Sequence, residues 1–284
     1  MNWINLTAST EKAGLDVLET WFWDNGAVSV TVEDAEDAPI FEPPPGEQPV
    51  WDQILVTGLF ESDVVVDDLL SALEHAQFKL SKVEELADRH WEREWLSRFK
   101  PMQFGRRLWV CPTAFEIENE GKVVIQLDPG LAFGTGTHET TRLCLEYLDA
   151  QDLTGKRVLD YGCGSGILAL GAALLGAERV VCIDNDSQAL TATRENAKLN
   201  NVTLETYMNN VVPEPADVVL ANILAQPLVE LSDMLCDCVL PGGLIILSGI
   251  MSSQGDWVQS AYTHQLTLID RTELNGWVRI VLGR

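Results

Sequence analysis

Basic residues are scarce in this chain: 19 lysines and arginines stand against 43 aspartates and glutamates, a net charge of −24. Proteins that grip a phosphate backbone draw most of that affinity from clustered Lys and Arg, and no such cluster occurs, so a direct nucleic-acid grip is excluded. No apolar run reaches the ~18 residues of a membrane span, and Met1-Asn2-Trp3-Ile4-Asn5 shows no basic stretch followed by an apolar one. Neither export nor a place in the membrane is expected. The six cysteines, Cys111, Cys144, Cys163, Cys182, Cys236 and Cys238, form no C-x-x-C pair and have no histidine at zinc spacing. No metal is expected, and several of the cysteines sit in apolar segments where a free thiol packs as a small hydrophobe, which fits a reducing cytoplasm. What is plentiful is apolar: 46% hydrophobic content over 284 residues is ample for one large core or two modest ones. The acidic excess confers solubility, and it also suits a basic protein as partner.

Asp160-Tyr161-Gly162-Cys163-Gly164-Ser165-Gly166 lies between an apolar run at 156–159 and a small-residue segment at 167–176, and it reads as strand, glycine turn and helix. A turn that brings backbone close to a ligand needs residues without a Cβ, which Gly162, Gly164 and Gly166 supply. The helix behind it points free N–H groups into the same crevice. The next apolar run, from Arg179 to Ile183, ends at Asp184, 22 residues after Gly162. A carboxylate at that spacing accepts hydrogen bonds from two ribose hydroxyls in nucleotide-binding βαβ units, so a nucleoside site is expected. Dinucleotide enzymes favour G-x-G-x-x-G beneath a pyrophosphate. Here the glycines fall at every second position, and Asp160 would repel a pyrophosphate but accept a hydrogen bond from an ammonium group. The stretch resembles the first motif of S-adenosylmethionine-dependent methyltransferases, and that resemblance implies S-adenosyl-L-methionine as the cofactor.

Residues 1–87 read as a small α+β unit. Strands near 3–8, 27–33, 51–60 and 80–86, with helices at 11–24 and 66–76, give the β-α-β-β-α-β order of the ferredoxin-like fold. A basic sheet with stacking aromatics, the mark of an RNA-binding version, is not evident. Residues 88–101, with Trp91 and Trp95 one helical turn apart and Pro101 as the stop, predict a linker helix. Two or three strands follow between Phe104 and Leu127, with a turn at Asn119-Glu120-Gly121. From Thr154 onward strand and helix alternate, with strand centres at Val158, Val180, Leu204 and Val218, no helix in the short third crossover, and a fifth strand from Leu244 to Ser248. Gln265 to Asp270 and Gly276 to Leu282, joined by a short polar link, predict an antiparallel hairpin. Residues 102–284 therefore read as a doubly wound, mostly parallel sheet with a terminal antiparallel hairpin, the class I methyltransferase architecture.

The run from Leu127 to Thr141, LDPGLAFGTGTHETT, is rich in glycine and hydroxyls and leads into an amphipathic helix at 142–148. Together with Asp160 to Gly166 and Asn222-Ile223-Leu224-Ala225, it closely resembles the bacterial methyltransferases, known as PrmA, that modify large-subunit ribosomal protein eleven. The resemblance extends to the N-terminal stretches at 32–37 and 42–47. It places cofactor contacts on Thr141, Gly162, Asp184 and Asn222, with Asn222 also orienting the acceptor amine, and it implies a ribosomal protein, expected to be basic, as the substrate; a monomer is the expected state of the enzyme. Secondary candidates are Asp160, Gly164 and Phe133, a loop aromatic that covers the cofactor, flanks the target amine or anchors packing. The Thr141 hydroxyl either caps its helix or binds the ligand, and His138 either acts as a base or holds the loop. In adenine- and glutamine-directed methyltransferases the position of Asn222 is followed by Pro-Pro and an aromatic, which hold a planar group. Ile223-Leu224-Ala225 lacks them, which favours an sp³ amine. The resemblance further implies trimethylation of both an N-terminal α-amine and lysine side chains, with the N-terminal unit recognising the substrate. A small-molecule or nucleic-acid methyltransferase, or an assembly factor with a vestigial pocket, are the competing readings.

Overall fold

Ile4, Leu6 and Ala8 are buried and alternate with more exposed neighbours, a period of two that makes β1 (Trp3–Glu11) a half-buried strand. The computed structural model describes residues 3–35, 51–86, 100–118, 120–128 and 136–284. β1 pairs antiparallel with β3 (Gln53–Glu61) and β4 (Lys79–Leu86), and β2 (Ser29–Asp34) pairs with β3, giving the order β2-β3-β1-β4. Leu18 and Phe22 of α1 (Leu15–Asp24) and Leu69 and Leu73 of α2 (Val66–His75) close the core of this ferredoxin-like sheet. The helix expected from Glu11 starts only at Leu15. Thr10 and Glu11 stay in the ladder opposite Ile54 and Gln53, and a 3₁₀ turn at Lys12–Gly14 makes the corner. These residues belong to the first of two units, Met1–Glu94; the second is Trp95–Arg284. The linker helix expected at 88–101 lies, except for its end, outside the described residues.

The second unit begins with a small sheet in which β5 (Met102–Phe104) is antiparallel to β6 (Leu108–Cys111), and β7 (Val123–Gln126) is parallel to β6. Because β6 and β7 run in parallel, the turn at Glu120-Gly121 belongs to a crossover and not to a hairpin. The main sheet has seven strands: β8 (Arg157–Tyr161), β9 (Arg179–Asp184), β10 (Glu205–Met208), β11 (Ala216–Asn222), β12 (Val239–Met251), β13 (Thr267–Leu274) and β14 (Trp277–Gly283), in the order β10-β9-β8-β11-β12-β14-β13. The five strands β8 to β12 are parallel where they pair, while β14 runs antiparallel to β12 and β13. Helices cover both faces, which explains continuous buried runs such as Val218-Val219-Leu220-Ala221. α3 (Glu139–Asp149), α4 (Ile167–Leu174) and α5 (Ser187–Leu199) bury Leu145, Leu168 and Leu190 in one core. On the other, α6 (Ala225–Glu230), α7 (Ser232–Asp237) and α8 (Gly255–Tyr262) bury Leu228, Leu235 and Tyr262. Leu204, expected at a strand centre, instead precedes β10, a four-residue edge strand whose register runs from Glu205 opposite Val181 to Met208 opposite Asp184. All six cysteines are buried free thiols. No helix among the described residues is long and apolar enough to cross a membrane.

Candidate functional site

From β8 the chain winds outward through β9 to β10, then returns to place β11 against the other flank of β8. Where strand order reverses in this way, neighbouring connections leave in opposite directions and a crevice opens at the carboxyl ends of the strands. Gly162 directly follows β8, Asp184 closes β9 and Asn222 closes β11, so three of the sequence-predicted residues share this edge. Thr141 arrives from α3, which packs against β11, β12 and β14.

Two oxygens in this set lack partners. Thr141 Oγ1 and Asn222 Oδ1 are buried, and neither has a hydrogen-bond partner among the described residues. A buried polar atom left unpaired costs roughly 1 to 3 kcal/mol, so two within one predicted site call for a ligand group to satisfy them. Capping does not account for Thr141: the cap of α3 is His138, whose Nδ1 accepts the Thr140 N–H at 3.3 Å and pairs with the Thr140 hydroxyl at 2.8 Å. That same engagement commits the Nδ1 of His138 to holding the helix start.

The glycine turn is strapped on three sides. The N–H groups of Gly162 and Cys163 both donate to the Ile183 carbonyl, at 2.7 and 3.1 Å, and the Gly164 N–H donates to Asp184 Oδ2 at 2.9 Å. Asp184 Oδ1 accepts the Asp186 N–H, also at 2.9 Å. Asp184 thus builds the turn as well as facing the crevice, and the second lone pair on each of its oxygens is what ribose hydroxyls would use. From α5, Thr193 Oγ1 donates to the Gly164 carbonyl and Asn196 Nδ2 to the Ser165 carbonyl, each at 2.9 Å. Thr193 and Asn196 were missed in the sequence; their only signal is a spacing of three on a helix.

Asp160 lies deeper than its motif position implies. It is 1% exposed, and its Oδ2 accepts the N–H of Ala169, the third residue of α4. The cap position of that helix is Gly166, which has no side chain to offer, so Asp160 does the capping from the preceding strand. Burial, reinforced by the nearby Asp184 charge and opposed by the Ala169 N–H, pushes its pKa up to about 7. Gly164 has a left-handed φ of +56°, and Phe133 lies outside the described residues.

A family model described as ribosomal protein L11 methyltransferase (PrmA) matches residues 2–284. The chain belongs to the PrmA family. Relatives named ribosomal protein L11 methyltransferase from Hamiltonella defensa and Enterobacter sp. are 46% identical over 295 residues and 47% over 289, covering 99% of this chain and 97% and 98% of theirs. Among solved structures, the ribosomal protein L11 methylase of Lactobacillus delbrueckii subsp. bulgaricus matches with a TM-score of 0.59 and 29% identity, over 66% of this chain and 99% of that one. As a PrmA member the chain is an S-adenosylmethionine-dependent methyltransferase. Its crevice fits that cofactor: Thr141 and Asn222 offer unpaired buried oxygens, Asp184 a carboxylate at the end of β9, and the glycine turn close-approaching backbone.

This PrmA member also shows why position 162 must be glycine, and the reason differs from the one its motif suggests. A Cβ there would overlap Ile223 Cγ2, and a Cβ at Gly249 would overlap the Ile223 carbonyl. Ile223, which directly follows Asn222, is therefore wedged between two glycines. Gly162→Ala is expected to weaken S-adenosylhomocysteine binding about tenfold, partly through strain at φ +77° and partly by displacing Ile223. Adding Ile223→Ala should restore part of the loss in calorimetric titrations. A double variant no better than the single one would leave backbone strain as the whole cause.

Proposed function

We propose that this methyltransferase acts on ribosomal protein L11 and trimethylates it at the N-terminal α-amine and at lysine side chains. In this reading residues 1–87 recognise the substrate, 88–101 form a linker helix and 102–284 carry out catalysis as a monomer in the cytoplasm. The observation that carries the reading is that the match to relatives of that name runs through both units, over 99% of the chain, and not through the methyltransferase sheet alone. Charge supports it: residues 1–94 hold 21 acidic and 5 basic side chains, a net of −16 out of −24. A basic, RNA-binding protein is the partner such a surface attracts.

S-adenosylmethionine, when bound, supplies a methyl group already activated by its sulfonium. The chain's own residues bind, orient and desolvate. Asp184 and the glycine turn would hold the nucleoside, and the Thr141 hydroxyl the amino-acid end. Asn222 Oδ1 would accept an N–H of the acceptor amine and keep its lone pair directed at the transfer point. An sp³ amine can turn about that hydrogen bond between the first two rounds, while it still carries an N–H; the tertiary amine of the third round has none and is held with its lone pair toward the transfer point by packing in the crevice alone. The amine must be neutral: an α-amine of pKa about 8 loses its proton readily, whereas a lysine at about 10.4 depends on desolvation in the crevice.

Mass spectrometry of L11 incubated with the enzyme and labelled S-adenosylmethionine tests the reading. Mass gains in threes of methyl groups at the N-terminus and at lysines are expected from the full chain, and none from a chain lacking residues 1–87 that still folds and binds S-adenosylmethionine. Equal methylation by the shortened chain would remove the recognition role, and label appearing only on RNA or small molecules would remove the substrate.

A further inference from the structure

We propose that the tip of the C-terminal hairpin, Asn275-Gly276-Trp277, is a latch that sets the first turn of α3, which makes Trp277 and Asn275 positioning residues for the cofactor site. The Trp277 ring meets the His138 ring edge-on, with centroids 4.7 Å apart and planes at 70°. That is a favoured aromatic geometry, and it fixes the imidazole that caps α3. Beside it, Asn275 Nδ2 donates to Glu139 Oε1 at 3.3 Å. The backbone N–H of Glu139 itself, then the Asn275 amide, hold that carboxyl below its ordinary range, so the first turn of α3 keeps its negative charge where a helix start favours one. Thr141, with its unpaired buried hydroxyl, lies two residues further on.

A latch must be rigid and rooted, and this tip is both. Asn275 at φ +49° and Gly276 at φ +82° adopt the successive left-handed conformations of a tight two-residue hairpin turn, closed by the Leu274 and Trp277 pair. The Ser252 N–H donates to the Gly276 carbonyl at 2.8 Å, and Trp277 pairs with Met251 at the end of β12. The tip is thus tied on one side to the sheet that carries Asn222 and on the other to the helix that carries Thr141. It fixes their mutual placement.

The inference rests on the reading that Thr141 holds the cofactor, and the test keeps the two apart. Trp277→Ala, Trp277→Phe, Asn275→Gly and the control Thr141→Val are made in the full chain and titrated with S-adenosylhomocysteine by calorimetry. Hydrogen exchange at the Thr140 and Arg142 amides, both bonded to His138, is followed without ligand. Trp277→Ala should weaken binding about tenfold and speed exchange at those two amides, Asn275→Gly should do so two- to threefold, and Trp277→Phe should stay near wild type because its ring keeps the edge contact. A purely structural tryptophan would lower the melting temperature without changing affinity or local exchange in the folded protein, and that result overturns the latch. If Trp277→Ala does not fold, wild-type exchange at the start of α3 in Asn275→Gly overturns it equally. Unchanged binding in Thr141→Val would instead remove the reading that Thr141 holds the cofactor, and leave the latch without a site to set.

Discussion

Replacing Asp184 with alanine is expected to lower the affinity for S-adenosylhomocysteine by about one to two orders of magnitude, with the protein still folded. Two losses combine. Charge-assisted acceptors for the ribose disappear, and the Gly164 and Asp186 N–H groups lose their partners, so the turn at the end of β8 loosens. Asp184→Asn should not rescue, because its NH₂ group would face one of those two backbone donors. Calorimetry together with circular dichroism checks both points. Wild-type affinity in a folded Asp184→Ala protein would take the residue out of the site.

Asp160→Asn should make the protein more stable at pH 8 than the wild type. Burial raises the folded-state pKa of Asp160 from 3.8 to about 7, so the folded protein holds this proton more tightly than the unfolded chain does. The associated stability is fully present below pH 3.8, is lost progressively up to about pH 7 and is absent above it. By proton linkage the displacement corresponds to about 4 kcal/mol at most. An asparagine carbonyl still accepts the Ala169 N–H, so thermal melts from pH 4 to 8.5 should show the variant gaining on the wild type as pH rises, by about 5 °C or more at the top. A constant difference, or one of opposite sign, would show that Asp160 is not ionising in a buried site.

The parallel sheet was legible because buried strands read as continuous apolar runs and the glycine turn punctuates the first of them. The ferredoxin-like unit was legible because β1 and β3 alternate so regularly. Local ends were not: nothing between Thr10 and Leu15 distinguishes a strand that continues from a helix that has begun, since the choice is made by Ile54 and Gln53 across the sheet. At the site, Gly162, Asp184, Asn222 and Thr141 were found by spacing and resemblance. The groups that hold them were hidden, because Thr193, Asn196, Gly249 and Trp277 act from far along the chain through single contacts. Asp160 was assigned to the ligand from its place in the motif, while its capping of α4 depends on Gly166 lacking a side chain, a relation visible only in three dimensions.

β14 follows every other strand of the seven-stranded sheet in sequence, yet it lies inside that sheet, between β12 and β13. During vectorial synthesis Gly162, Asp184 and Asn222 are all made before the strand that joins β13 to the rest exists. The N-terminal sheet has no such dependence, because all four of its strands lie within residues 3–86. A nascent chain on the ribosome therefore has every residue of its ferredoxin-like sheet while its cofactor crevice still lacks the hairpin tip that Asn275 and Trp277 provide.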